Sequence, residues 1–192
     1  MVRISELEKY AKDNNIPIME KEGIEYLTKY IADNNIHSIL EIGSAIGYSA
    51  IRMSLVNENI CITTIERDKN RYNEAVKNIN KFNLSNQIEI INDDAFNVSI
   101  DKKYDLIFID AAKSQYIKFF DKYKGNLNDD GVIFSDNLNF HGLVNSNEKI
   151  ESRNVRGIVR KLNNYIDFLK HNNEFVTEFI NIGDGISISK KK

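Results

Sequence analysis

Three oxygen-bearing side chains in the second half of the chain, Asp110, Asp136 and Asn137, are of the types that hold a hard divalent cation. Asp110 closes the apolar run Leu106-Ile107-Phe108-Ile109, and Asp136 and Asn137 close the run Gly131–Ser135. If those runs are neighbouring parallel strands, ~5 Å apart, the three groups converge at one end of a sheet. Two carboxylates and an amide, with no His or Cys in the set, suit Mg2+ or Mn2+ rather than zinc. Without a cation the two carboxylates would repel each other in a half-buried cleft. The plainer alternative is that either acid only caps the helix after its strand. Lys113 follows Asp110 by three residues. Most lysines simply keep a solvated head, but beside a dication an ammonium is pressed toward its neutral form, which can act as a general base.

A second set lies earlier in the chain, in Glu41-Ile42-Gly43-Ser44-Ala45-Ile46-Gly47-Tyr48-Ser49. Gly43 can make a tight turn after a strand, and Gly47 lets the next helix start close to the sheet. The spacing is not G-x-G-x-x-G, because Ala45 stands at the middle position. That departure and the acid Glu41 disfavour a pyrophosphate; Glu41 could instead accept hydrogen bonds from a cationic, amino-acid-like ligand. A plain strand-to-helix turn is the alternative. Glu66 ends the next strand, where an acid can take both hydroxyls of a ribose, although alone it reads equally as a solvated strand end. At Asn92-Asp93-Asp94-Ala95 a side chain and a backbone amide could read an adenine edge, or Asp94 could cap a helix. Taken together these positions favour an adenosine-containing cofactor.

Positioning these groups requires an alternation of strands and helices. The candidate strands are Ser38–Ile42, Cys61–Glu66, Ile88–Asn92, Tyr104–Asp110 and Gly131–Ser135, with helical patterns over Ile46–Leu55, Asn70–Phe82 and Tyr116–Tyr123 between them. Strand–helix–strand repetition at this pitch gives parallel strands joined by crossover helices. The run Leu106–Ile109 is apolar at every position, as expected of a central strand covered on both faces. Val155–Lys170 reads as a long helix. Phe175–Ile180 and Ile186–Ser189 flank Gly183-Asp184-Gly185 as an antiparallel edge hairpin. Ser5–Asn14 and Lys21–Ala32 read as two helices separated by Pro17. The expected architecture is a doubly wound α/β sheet of about seven strands, one domain over 1–192, with 1–37 as a helical cover and 38–192 as the core. Ligands of such sheets bind outside the carboxyl ends of the strands.

Composition fits that reading and excludes others. The 192 residues carry 26 Lys+Arg against 28 Asp+Glu, a formal net charge of −2, and are 42% hydrophobic. That is a folded composition with no global pull toward nucleic acid, though a local basic patch stays open. The single cysteine, Cys61, excludes an internal disulfide and makes a reducing compartment, the cytoplasm, the expected location. No apolar run approaches the ~18 residues of a membrane helix. The charged first twenty residues do not form a signal-peptide core. The richness in Asn, Ile and Lys reads as codon bias.

In combination, Glu41-Ile42-Gly43-x-x-x-Gly47-Tyr48-Ser49, Asp110-Ala111-Ala112-Lys113 and Asp136-Asn137 with Gly142-x-Val144 resemble the cation-dependent, S-adenosylmethionine-dependent O-methyltransferases of the catechol and caffeoyl-CoA type. The resemblance runs from about Met19 to the C-terminus. It implies a Rossmann-like fold, a homodimer, and contacts to the methyl donor from Met19, Ser49, Glu66, Asp94, Ala95 and Asp110. It also implies metal ligation by Asp110, Asp136 and Asn137, with Lys113 near the accepting oxygen. Within that family the chain is most similar to the bacterial tRNA 5-hydroxyuridine methyltransferases, on Pro17–Lys21, Gly47–Met53 and Gly183–Lys192. Two departures stand out. Asp93 replaces a usual glycine, so the turn beneath an adenine is expected to differ. Only forty residues precede Glu41, so an N-terminal helix used for dimer contacts or a lid is expected to be reduced.

One dication that binds two neighbouring oxygens would serve either a catechol or a 5-hydroxyuridine, whose hydroxyl adjoins its 4-carbonyl. A surface for phosphates would separate the two. Lys149, Arg153, Arg156, Arg160 and Lys161 against Glu151 give the stretch 149–161 a local charge of +4, and Lys190–Lys192 add to the count. Arg153, Arg156 and Arg160 share one face if a helix begins by Arg153. The tRNA anticodon that the resemblance implies is the expected partner, and this stretch could bind its phosphates or be merely a solvated helix face. A non-catalytic nucleotide binder or an NAD-dependent oxidoreductase is the reading from another class. The missing middle glycine speaks against NAD, and the Asp110/Asp136/Asn137 trio against a mere binder.

Overall fold

The computed structural model describes residues 3–139, 142–144 and 152–192. Seven strands, β1 (Ser38–Ile42), β2 (Cys61–Ile65), β3 (Ile88–Ile91), β4 (Tyr104–Ile109), β5 (Leu127–Ser135), β6 (Phe175–Ile180) and β7 (Ile186–Lys191), form one sheet in the order β3-β2-β1-β4-β5-β7-β6. The first five strands are parallel, and β7 runs antiparallel between β5 and β6. The helices are α1 (Ile4–Asp13), α2 (Lys21–Asp33), α3 (Tyr48–Ser54), α4 (Lys69–Lys81), α5 (Tyr116–Tyr123) and α6 (Arg153–Lys170). This is the expected doubly wound sheet with its antiparallel C-terminal hairpin.

Strand side chains alternate between two cores, as period-two geometry requires. Ile39, Leu106, Phe108, Val132 and Phe134 face α1, α2 and α3, whose Leu7, Ile24, Leu27, Ile31 and Met53 are buried against them. Leu40, Ile107, Ile109 and Ile133 face α5 and α6, through Phe119, Phe120, Leu162, Tyr165 and Leu169. The two N-terminal helices cover the first of these cores, through Leu7, Ala11, Ile24, Leu27 and Ile31.

Two sequence expectations change. The strand expected from Gly131 begins at Leu127 and carries Asn128-Asp129-Asp130 within it. A register shift between Tyr104 and Leu106 accommodates that exposed polar stretch, which by composition resembles a loop. Part of the asparagine content also has a structural use. Asn15, Asn35 and Asn83 follow α1, α2 and α4 with φ of 52°, 51° and 58°. After each, an apolar residue returns its N–H to the helix: Ile16 to the Ala11 carbonyl, Ile36 to Ile31, Leu84 to Ile79. These are Schellman ends, and asparagine tolerates the left-handed position they need.

Candidate active site

The carboxyl ends of the parallel strands open onto a cavity of about 670 Å3, within the size range of small-molecule sites. At one end the β1–α3 loop rests on the end of β4. Gly43 has φ +100°, and a Cβ there would lie 2.3 Å from the Asp110 carbonyl oxygen, so the approach requires glycine. The Ala45 and Asp68 N–H groups each donate to the Glu66 carboxylate at 2.8 Å. Glu66 is thereby fixed in the wall, with acceptor capacity left for a ligand's hydroxyls. Met19, Ser49, Asp94 and Ala95 line the same cavity. Asp94 Oδ1 accepts the Phe96 N–H at 2.9 Å within a turn; no helix follows, so it is not a helix cap.

Glu41 departs from the expectation of a direct ligand contact. It is fully buried and does not line the cavity. Its carboxylate accepts hydrogen bonds from the Ser49 hydroxyl and, at 2.5 Å, from Thr64 Oγ1. Burial pushes this acid up to about 7; the two hydroxyls oppose the rise, and Asp110 and Glu66 add to it. The reason is register: Glu41 shares the Ile39 face, beneath α3, so it reaches the cavity only through Ser49.

At the other end, the Asp110 N–H donates to the Ile42 carbonyl and the Asp136 N–H to the Ile109 carbonyl, which sets the two acids on adjoining strand ends. Asn137 takes φ +61°, turning the chain after β5. Lys113 Nζ then donates to Asn137 Oδ1 at 2.5 Å and lies 3.5 Å from Asp110 Oδ1. Neither acid caps a helix: a single 3-10 turn, Lys113–Gln115, follows Asp110 with Ala112 at its start, and α6 is capped by Ser152. Asp136 is buried, and its Oδ2 has no hydrogen-bond partner among the described residues. Burial and then repulsion from Asp110 push Asp136 up to about 8. Burial also raises Asp110, against the pull of Lys113. Among the described residues no three His, Cys, Asp or Glu side chains group as a metal site. A dication here would need the Asn137 amide as its third donor, and the unpartnered Asp136 oxygen in an all-oxygen set fits Mg2+ or Mn2+.

Residues 2–192 match the protein family described as O-methyltransferase. The chain belongs to that family. A caffeoyl-CoA O-methyltransferase of Populus kitakamiensis is 26% identical, over 99% of this chain and 84% of its own. A catechol O-methyltransferase of Niastella koreensis is 33% identical over 43% of this chain and 41% of its own. Among solved structures, a Staphylococcus aureus protein named as a caffeoyl-CoA O-methyltransferase superposes with a TM-score of 0.93 at 38% identity, covering 100% of this chain and 93% of that one. Membership sets the reaction class, methyl transfer from S-adenosylmethionine to an oxygen.

This O-methyltransferase has cavity residues that its sequence did not single out. Asp184 enters from the β6–β7 turn. Because β7 is antiparallel to β5, with Ser187 paired to Ser135, the hairpin turn arrives at the carboxyl ends of the parallel strands. A Gly-Asp-Gly turn was the available signal. Phe96 and Phe119 stack at 4.6 Å in the cavity wall. Ser44 Oγ and Gln115 Oε1 are buried wall atoms with no partner among the described residues.

Beside the cavity, Ser114, Arg153, Arg156, Gly157, Arg160 and Lys161 line a second depression of about 750 Å3. Ser114 belongs to the same 3-10 turn as Lys113 and Gln115, which line the cavity, so the basic groove and the cavity share that turn. α6 begins at Arg153 and the three arginines share the groove, as expected. Lys149 and Glu151 lie outside the described residues. Lys190–Lys192 do not contribute: β7 carries them to the far end of the sheet, where Lys190 pairs with Val132 and Lys192 bonds the Asn172 carbonyl.

Proposed function

We propose that this O-methyltransferase methylates the 5-hydroxyl of 5-hydroxyuridine at the tRNA wobble position, giving 5-methoxyuridine, with Mg2+ or Mn2+ as its metal. The observation that supports a tRNA acceptor is the basic groove contiguous with the Lys113 turn. Four cationic side chains along it suit a phosphate backbone, which gives affinity and orientation but no choice of base. Base choice falls to the cavity, which must take an unstacked nucleotide.

Asp110, Asp136 and Asn137 would hold the metal; when bound, it would act as a Lewis acid toward two vicinal oxygens and orient them. Met19, Gly43, Ser49, Glu66, Asp94, Ala95 and Asp110 would seat the methyl donor, with Glu41 holding Ser49 from beneath. Lys113 Nζ, held at the Asp110–Asn137 edge, would take the hydroxyl proton in its neutral amine form, which a neighbouring dication favours. The O–CH3 bond forms as the S–CH3 bond breaks, and S-adenosylhomocysteine leaves. Fixing donor and acceptor in line can supply ~7–11 kcal/mol of the barrier. The homodimer that the resemblance implies belongs to the same reading, and sedimentation would test it.

A small-molecule catechol or phenol is the second acceptor class, favoured by the named activities of the relatives. Nucleoside mass spectrometry of tRNA from cells with and without this chain separates the two. Loss of 5-methoxyuridine with accumulation of 5-hydroxyuridine is expected. Unchanged tRNA nucleosides together with rapid catechol turnover would reverse the order, and full turnover in excess EDTA would remove the metal.

A further inference from the structure

We propose that Asp184 is a positioning residue that sets which end of the Asn137 amide faces Lys113 and Asp110; this rests on the metal-dependent reading above. An asparagine amide has two chemically opposite ends, and only its oxygen can accept from an ammonium or ligate a cation. Asn137 Oδ1 is the end at Lys113, and Asn137 Nδ2 is directed to Asp184 Oδ2 at 3.3 Å. A carboxylate accepts and cannot donate, so it engages the NH2 end and leaves the oxygen toward the cavity.

The backbone keeps this pair in register. The Leu138 N–H donates to the Gly185 carbonyl and the Asn139 N–H to the Asp184 carbonyl, at 2.9 and 2.7 Å. Gly185 has φ +83°, and a Cβ there would come within 2.9 Å of the Asn139 nitrogen. The turn is therefore pressed against the segment carrying Asn137. Asp184 is buried, and its charge adds to the repulsion that raises Asp136. A third acid beside Asp110 and Asp136 is unfavourable unless its acceptor-only character is needed. An asparagine at 184 would fill the same space without that repulsion, but it could present either end to Asn137. Partners of this kind, one bond removed from a ligand, typically change metal affinity ~10–100-fold.

The test is a swap of the pair, read by Mn2+ binding in equilibrium titrations of the full chain without methyl donor. Asp184→Ala is expected to weaken Mn2+ binding at least tenfold. Asn137→Asp puts two carboxylates face to face and is expected to weaken it too. The double variant Asn137→Asp with Asp184→Asn restores one donor and one acceptor, and is expected to return affinity to within a few-fold of wild type. S-adenosylhomocysteine binding in every variant reports that the fold and donor site persist. Wild-type Mn2+ binding with no loss in Asp184→Ala, or a double variant that binds no more tightly than Asn137→Asp alone, overturns the positioning role. Absence of Mn2+ binding in the wild type instead overturns the metal reading itself.

Discussion

Glu41 and Glu66 are both strand-end acids of neighbouring parallel strands, yet their surroundings give them opposite uses. Glu66 accepts hydrogen bonds from two backbone N–H groups, of Ala45 and Asp68, in the cavity wall. Among the described residues the Glu41 carboxylate bonds only the hydroxyls of Ser49 and Thr64, and burial raises it to about 7 from an ordinary 4.5. A folded-state value raised in this way means that the native chain binds a proton which the unfolded chain has already lost between those two values. The fold is therefore least burdened by Glu41 below about 4.5 and fully burdened once pH passes about 7. The gap corresponds to about 3 kcal/mol. In Glu41→Gln, urea denaturation at pH 5 and at pH 8 is expected to show a variant that gains on wild type by one to about 3 kcal/mol as pH rises. An equal difference at both pH values would mean that Glu41 does not titrate in this window. This distinction was beyond the sequence, which places Glu41 at a strand end but does not say which core its side chain enters. The adjacency of Asp110, Asp136 and Asn137 was legible because polar residues that end adjacent parallel strands must meet. Asp184 was not, since its place depends on the hairpin running back along β5.

At the scale of the element, α6 shows how one helix can serve two masters. Val159, Leu162, Tyr165 and Leu169 are buried at helical spacing, while Arg153, Arg156 and Arg160 line the groove near its start. That periodicity was readable, as were the helices over Asn70–Phe82 and Tyr116–Tyr123, because apolar spacing dominates such segments. The start of β5 was not, because Asn128-Asp129-Asp130 are polar and fall at the register shift between the Tyr104–Leu127 and Leu106–Val132 pairs. The lysines at the C-terminus illustrate the same limit: charge can be counted in a sequence, but the end of the sheet that it decorates follows only from strand direction. The proposed role of α6 has a quantitative consequence. If Arg156 and Arg160 each neutralise a phosphate, the double replacement by Ala removes roughly two counterion releases. The slope of log Kd against log salt for tRNA is expected to fall in magnitude by about 1.5, with binding weakened at every sequence alike. Replacing Lys190 and Lys191 by Ala is expected to leave the slope nearly unchanged, since they lie at the far end of β7. Filter binding across 50–300 mM salt, a range of the order used for such slopes, reads both variants, and an unaltered slope in the arginine pair would assign the groove to another ligand.

For the whole molecule, the strand order brings segments distant in sequence to one rim. The wall of the cavity combines Pro17–Glu20 from before α2, the loop after β1, the turns after β3 and β4, and Asp184 from the last hairpin. The hairpin and the N-terminal segment also meet directly: a Cβ on Gly183 would stand 3.2 Å from the Gly23 nitrogen. A ligand in this cavity therefore ties together the first and last fifths of the chain as well as the strand ends. Binding to the folded state at a hundred times Kd contributes about 2.7 kcal/mol, which for a domain of this size raises Tm by roughly 5–10 °C. S-adenosylhomocysteine is accordingly expected to raise Tm by that amount and to slow amide exchange at residues 18–20, 43–49, 93–96 and 183–185 together. Residues 128–131, at the opposite end of the sheet, should exchange as before. Slowing confined to residues 43–96, with 18–20 and 183–185 unaffected, would show that the chain ends do not close on the donor and would place it wholly over β1 to β3.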